Sequence, residues 1–149
     1  MINTEISLEK LNATSKDTMI EHLGIEYLEM KEGYVKARMP VDKRTRQPYK
    51  ILHGGATIAL AETIASVGSA AIVDLDKFDV RGASVSANHL GAVSSGWVTG
   101  VAELIHKGKA THVWDVKITD EKNRNISVVR MTIMIIDKKN INFVKKEKL

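Results

Sequence analysis

Three kinds of hydrophobic patterning follow one another along the chain. Residues 7–22, SLEKLNATSKDTMIEH, mix charge with Leu8, Leu11, Met19 and Ile20, which reads as one or two short helices stopped by Gly24. Residues 25–30, IEYLEM, alternate apolar and acidic positions, and 34–39, YVKARM, alternate again across the turn KEG. That is the period-2 signature of a β-hairpin, ended by Pro40. Residues 41–52 are polar, contain Pro48 and read as a loop.

The pattern then changes. From Gly54 to about Val73, GGATIALAETIASVGSAAIV has no proline, is rich in alanine and is apolar nearly all round. This predicts one central buried helix of roughly 18 residues. Ala59, Ser66, Ser69 and Ala70 are small enough to let neighbouring backbone come close. After the linker DLDKFD, four strand-like runs follow at about 82–91, 96–106, 111–119 and 126–137. They are separated by the turn clusters GAVSSG, HKGK and DEKNRN, and VWDVKIT and SVVRMTIMII are strongly β-type. The predicted class is therefore α+β: a hairpin, a long helix and an antiparallel meander, forming one antiparallel sheet wrapped around one helix. Such a sheet covers one side of the helix, so an all-round apolar helix implies a dimer.

Composition narrows the partners. The chain of 149 residues reads as a single domain over 1–149, with an N-terminal helical segment over 1–24 and a basic C-terminal tail over 138–149. Apolar residues make up 44%, enough for a core. No run reaches the roughly 18 apolar residues of a membrane span. MINTEISLEK lacks a basic region followed by an apolar block, and there are no cysteines, so disulfides and thiolate sites are excluded and the cytoplasm is the expected compartment. The net charge of +4 is mild, and much of it sits in KKNINFVKKEKL. With 5% aromatic residues and no accompanying motif, nucleic acid is not the expected partner.

The candidate chemistry lies on the long helix. Glu62 sits among Ile58, Ala59, Leu60, Ala61, Ile64 and Ala65, where a carboxylate costs free energy unless paired, hydrated or used. Ser66, four residues on, shares its face, so a local Ser–Glu hydrogen bond or a wet groove is the plain alternative to catalysis. Gly54 and Gly55 open the helix, where backbone N–H groups lack partners and the dipole is positive. That suits either an oxyanion hole or a tight loop-to-helix entry. Glu62 lies eight residues beyond Gly54, roughly 12 Å along the axis. One helix cannot bring both to one carbonyl, whereas two antiparallel helices related by a two-fold axis can. His53 could cap the helix, position a substrate or shape the loop. His22, His106 and His112 show no partner pattern, and no histidine pair has metal-ligand spacing, so no metal is expected.

Gln47-Pro48-Tyr49, then Leu52-His53-Gly54-Gly55, then Leu60-Ala61-Glu62 resembles the hotdog-fold acyl-CoA thioesterases, in the glutamate-type branch. That branch includes phenylacetate-pathway, 4-hydroxybenzoyl-CoA and 1,4-dihydroxy-2-naphthoyl-CoA thioesterases and the proofreading thioesterase of enterobactin synthesis. The resemblance covers about residues 20–137. It implies a hotdog fold in a homodimer or dimer of dimers, and hydrolysis of an acyl-CoA or carrier-protein thioester with no cofactor beyond the CoA of the substrate. It implies Glu62 as nucleophile or general base, Gly54 N–H as the carbonyl-polarising donor, and Gln47 and His53 as orienting groups from the partner chain. Ser66 would steer water. His89 would hold the acyl or pantetheine portion, and CoA would lie near Gly55, Gly82, His106, Lys107, Gly108 and Lys109. A hotdog hydratase or dehydratase, or a non-catalytic acyl-CoA-binding module, are the rival implications. Two departures stand out: the branch usually has glycine where this chain has Lys50, and often His-Arg-Pro where Leu90-Gly91-Ala92 follows His89.

Overall fold

A computed structural model describes residues 7–141. Residues 1–6 of the N-terminal segment and 142–149 of the basic tail lie outside the described residues. Two short helices come first, α1 (Leu8–Ala13) and α2 (Met19–Leu23). Ser7 and Thr18 cap their N-termini, with side-chain oxygens accepting from Lys10 N–H and Ile20 N–H. Gly24, at φ 70°, takes the left-handed conformation that ends α2. The hairpin follows as β1 (Glu26–Lys31) and β2 (Tyr34–Pro40), then α3 (Gly54–Ala70). The remaining strands are β3 (Phe78–His89), β4 (Trp97–Lys107), β5 (Thr111–Asp120) and β6 (Asn125–Asp137), before the short α4 (Lys138–Ile141).

All six strands form one antiparallel sheet in the order β1-β2-β4-β5-β6-β3. This corrects the expected meander in one respect. The meander holds for β4 to β6, but β3 pairs with β6 at the far edge and not with β4. The reason is the connector 90–96, which crosses the end of the sheet. Leu90 N–H donates to Ile126 O, Val93 O accepts from Leu52 N–H, and Gly96 O accepts from Val41 N–H. The start of β3 is also earlier than expected, because Phe78 and Asp79 of the apparent linker pair with Asp137 and Ile136.

The sheet curls around α3. Inward-facing Val35, Ala37 and Met39 of β2, Val98 and Ala102 of β4, and Trp114, Val116 and Ile118 of β5 are fully buried. They enclose Leu60 and Ile64, each also fully buried, and burying such a side chain contributes about 1.5–3 kcal/mol. The helix comes closest to β5 at Gly68, where an added Cβ would stand 2.5 Å from the Trp114 ring. There the indole Nε1–H donates to Ser69 Oγ at 2.8 Å, and His112 Nδ1 lies 3.1 Å from the same oxygen. His112 thus has a partner that its sequence surroundings did not show. Burial lowers its pKa, assisted by the charges of Lys107 and His106.

The opposite face of α3 is not covered by the sheet. Glu62 is exposed there, and Thr63, Ser66 and Val67 are half-buried. The two sheet edges also differ. At β1 the Asn12 side chain accepts from Tyr27 N–H at 2.9 Å and donates to Tyr27 O at 3.2 Å, which occupies that edge. Along β3, twelve residues long, every residue from Arg81 to Ser86 is exposed.

The loop before α3 is a small hairpin. Arg46 bridges Leu52, Gln47 N–H donates to Ile51 O, and Lys50 N–H donates to Gln47 O. Lys50 closes it at φ 65°. A left-handed residue at this position explains why the related branch favours glycine: a Cβ is strained there. Lys50→Gly should therefore stabilise the protein by about 0.5–1 kcal/mol, after the added chain entropy of glycine is subtracted. A melting temperature raised by about 2 °C is the expected result; a lowered one contradicts this reading of the turn.

Candidate active site

The residues singled out in the sequence fall into three groups. The first surrounds the start of α3. His53 is the N-cap residue, and its Nδ1 accepts from Gly55 N–H at 2.8 Å. Ala56 N–H and Thr57 N–H both donate to His53 O. Of the first N–H groups of this helix, Gly54 alone has no partner among the described residues. The capping bond also settles the neutral tautomer of His53: with Nδ1 accepting, Nε2 carries the proton and faces outward on an exposed side chain.

His89 closes this group from the sheet side. Its ring lies against Gly54, where an added Cβ would meet Nε2 at 2.7 Å. His89 Nδ1 is 3.3 Å from Thr57 Oγ1 and 3.2 Å from Ser127 Oγ. Both hydroxyls spend their protons elsewhere, Thr57 on Gly54 O at 2.6 Å and Ser127 on Asn88 O at 3.2 Å. With the hydroxyl protons so placed, His89 Nδ1 donates to these oxygens; in the other tautomer the Ser127 proton turns to Nδ1 instead. Thr57 and Ser127 were not foreseen. Thr57, three residues after Gly54, carried a weak local signal; Ser127 carried none, because its place depends on the pairing of β3 with β6. Gln47 sits one hairpin away on the loop that leads into α3 and is half-buried.

The second group is Glu62, Ser66 and Gly82. Glu62 makes no ion pair or hydrogen bond with any described residue. Its carboxylate rests directly over Gly82, where an added Cβ would stand 2.1 Å from Oε1. Glu62 and Ser66 open onto a groove of about 540 Å³ between α2, β1, α3 and the start of β3. Its walls are mostly apolar, including Met19, Ile20, Leu23, Ile25 and Val80. Small-molecule sites typically combine such a volume and lining with a few polar groups.

One irregularity lets β3 serve both groups. Gly82 pairs with Ile133 and His89 with Ser127, and both partners are buried on the helix side. Seven residues separate Gly82 from His89, an odd number, so in a regular strand they would face opposite ways. The register shift between Gly82 and Ser84 leaves Ala83 as an extra residue and reverses the phase. Gly82 and His89 thereby both face α3.

The third group is the β4–β5 hairpin with His106, Lys107, Gly108 and Lys109. Lys107 lies 3.3 Å from Glu32 in an exposed pair. Register places this hairpin level with the start of β3, since Thr111 and Arg81 both pair with Met134. It therefore shares the Gly82 end of the sheet, not the His89 end. Within one protomer the three groups are strung along α3, and the free Gly54 N–H and the Glu62 carboxylate stay roughly 12 Å apart.

A six-stranded antiparallel sheet curled around one long helix is the arrangement of the hotdog thioesterases. Sequence comparison agrees: the thioesterase superfamily profile matches residues 49–127. The chain is 44% identical over 131 residues to the proofreading thioesterase EntH of Cronobacter sakazakii, covering 88% of this chain and 95% of that one. The structure of a mutant of thioesterase PA1618 from Pseudomonas aeruginosa superimposes with a TM-score of 0.88 at 38% identity, over 91% of this chain and 98% of that one. Thioesterase HI1161 from Haemophilus influenzae gives a TM-score of 0.83 at 40% identity, over 88% and 91%. The chain belongs to the thioesterase superfamily and has its hotdog fold. It is a thioester hydrolase. No helix among the described residues is long and apolar enough to cross a membrane.

The contact between Glu62 and Gly82 gives a direct test. Gly82→Ala should leave the melting temperature close to that of the parent, because the clashing atom is the end of a flexible side chain. A crystal structure of the variant should show the Glu62 carboxylate rotated off its seat. A carboxylate still in its original place contradicts the contact.

Proposed function

We propose that this chain hydrolyses acyl-CoA or carrier-protein thioesters at sites shared between two antiparallel protomers. The observation that carries the proposal is the bare Glu62 carboxylate, unpaired and seated over Gly82 at the mouth of an apolar groove. Exposed in one protomer, this carboxylate becomes costly only when a second chain or a bound acyl group covers it, unless it is then used. The free Gly54 N–H supplies the complementary group, a backbone donor at the positive end of a helix dipole.

Their separation of roughly 12 Å along one helix requires a second chain. The exposed run from Arg81 to Ser86 offers the place for it, because an unpaired edge strand is a template for another strand. Val85 on that run is 42% exposed and Tyr49, at the tip of the 47–51 turn, is 84% exposed, so apolar surface lies where a second copy would cover it. Pairing of β3 with its two-fold mate runs the two α3 helices antiparallel. The start of each then approaches the middle of the other.

In the reaction, the partner's helix start polarises the thioester carbonyl through the Gly54 N–H, while His53 Nε2–H and Gln47 orient the group. Glu62 from the first chain either attacks the carbonyl carbon, expelling the CoA or carrier thiolate and giving an acyl anhydride that water then hydrolyses to the free acid and Glu62, or takes a proton from a water that attacks the carbonyl and expels the thiolate; in both routes the water's proton balances the thiolate. Ser66, on the same helix face, steers that water. CoA extends past Gly82 toward the 106–109 hairpin, where Lys107 exchanges its exposed partner Glu32 for a phosphate; such a surface pair is worth about 0–1 kcal/mol.

Glu62→Ala and Glu62→Gln should each lower turnover of acyl-CoA substrates by about 10²-fold or more, on the scale of losing a general acid–base group. The oligomer should persist by size-exclusion chromatography. Full activity in either variant sinks the mechanism, and a parent protein that binds acyl-CoA panels without releasing thiol sinks the hydrolytic reading. In single-turnover hydrolysis in ¹⁸O water, label in the Glu62 carboxylate identifies the nucleophile route with water attacking the glutamyl carbon, since the general-base route labels only the released acid.

A further inference from the structure

Two exposed histidines meet at the start of α3, and what stands behind each ring differs. His53 Nδ1 accepts from Gly55 N–H at 2.8 Å, so its neutral ring carries the proton on Nε2. His89 lies against Gly54 through its own Nε2. Its Nδ1 instead meets two hydroxyls, Thr57 Oγ1 at 3.3 Å and Ser127 Oγ at 3.2 Å. They come from different elements, α3 and β6, and their residues are 2% and 0% exposed. Each hydroxyl has a backbone carbonyl of its own to donate to, so neither needs the ring in order to be satisfied.

Counting protons separates the two neutral forms of His89. Thr57 Oγ1 is 2.6 Å from Gly54 O, far closer than to Nδ1, so its proton stays on that carbonyl and it meets the ring as an acceptor. Ser127 Oγ is 3.2 Å from both Asn88 O and Nδ1 and can turn to either. With the ring proton on Nδ1, both hydroxyls accept and Ser127 keeps its bond to Asn88 O. With the ring proton on Nε2, Ser127 leaves Asn88 O to serve Nδ1, and the Thr57 oxygen faces an unprotonated nitrogen. The first form makes more hydrogen bonds from the same groups.

We propose that Thr57 and Ser127 are positioning residues that hold His89 in the tautomer opposite to that of His53, so that the helix start carries one imidazole donor and one imidazole acceptor. A CoA or carrier thioester presents both kinds of partner: carbonyl oxygens that accept, and amide N–H groups along its thiol arm that donate. His53 Nε2–H suits the first and the His89 Nε2 lone pair suits the second. A His89 of the other tautomer would set two donors side by side and leave the arm without an acceptor there. The inference rests on the helix start being where the thioester binds.

Long-range ¹H–¹⁵N spectra of the ring nitrogens, recorded where the histidines are neutral and assigned with His53→Gln and His89→Gln, read the tautomers directly. The parent should show the proton on Nε2 in His53 and on Nδ1 in His89. Ser127→Ala leaves the accepting Thr57 and should keep it on Nδ1. Thr57→Val leaves Ser127, which serves either form, and should move it toward Nε2; the double variant should move it further. In kinetics, Thr57→Val should raise KM for an acyl-CoA by about tenfold with kcat less affected, Thr57→Ser should restore it, and Thr57→Val should add nothing in a His89→Ala background. A parent His89 protonated on Nε2, a proton position indifferent to Thr57→Val, or an equal rise in KM in the His89→Ala background overturns the proposal. The parent spectrum needs no substitution, so it decides the tautomer even if Thr57→Val fails to fold. If the KM effect holds while Glu62→Ala keeps full activity, the carboxylate reading of the site falls and this assignment stands. If Glu62→Ala abolishes turnover and Thr57→Val leaves KM unchanged, the reverse holds.

Discussion

The rigidity of α3 is the constraint on which the rest of this structure depends. Seventeen residues of unbroken helix hold Gly54 and Glu62 at a fixed spacing, roughly 12 Å along the axis. The sheet then holds the helix. Gly68 lets Trp114 close onto its backbone, and Ser69 receives the Trp114 Nε1–H, so α3 has little freedom to slide or rotate against β5. A donor and a carboxylate carried on such an element can act together only if a second copy brings its own helix alongside. The inner face of α3 builds the core, and its outer face, with Glu62 and Ser66, is not covered by the sheet; the proposed dimer would place that copy there.

The strand β3 adapts the sheet to this helix. It must support Glu62 at one end and place His89 beneath the helix start at the other. A regular strand would turn one of the two outward, and the extra residue at Ala83 prevents this. Gly82 matters through what it lacks, since any side chain there would occupy the seat of the carboxylate. The polarity of β3 follows the same logic. Its outer run from Arg81 to Ser86 has no cover within the chain, whereas the opposite edge at Tyr27 is already occupied by Asn12.

Features carried by local pattern were legible in the sequence. The alternation in IEYLEM and YVKARM, the stop at Gly24 and the apolar run after Gly54 each act over a few residues, and each appears in the structure where the pattern put it. Glu62 and its spacing from Gly54 were legible because both lie on one helix. What escaped depends on contacts between distant segments. His112 meets Ser69 across 43 positions and His89 meets Ser127 across 38, and no local period encodes either. The first residues of β3 escaped for a related reason: Phe78 and Asp79 lie in a charged stretch, and pairing with β6 makes them strand. The placement of β3 beyond β6 also escaped, since consecutive strands more often lie side by side. Lys50 was legible as a departure from the related branch, but its left-handed backbone conformation was not.

The central claim is that each site draws Glu62 from one chain and the helix start, with its Gln47 loop, from another. The most direct measurement pairs a Glu62→Ala protomer with a Gln47→Ala protomer, using two affinity tags to purify the mixed dimer. If sites are shared, one site of the mixed dimer has both defects and the other has none. Its thioesterase activity should then rise well above both parent variants, toward about half that of the unmodified dimer. If each chain contains a complete site, the mixed dimer will be no more active than the mean of the two variants, and that result would contradict the account.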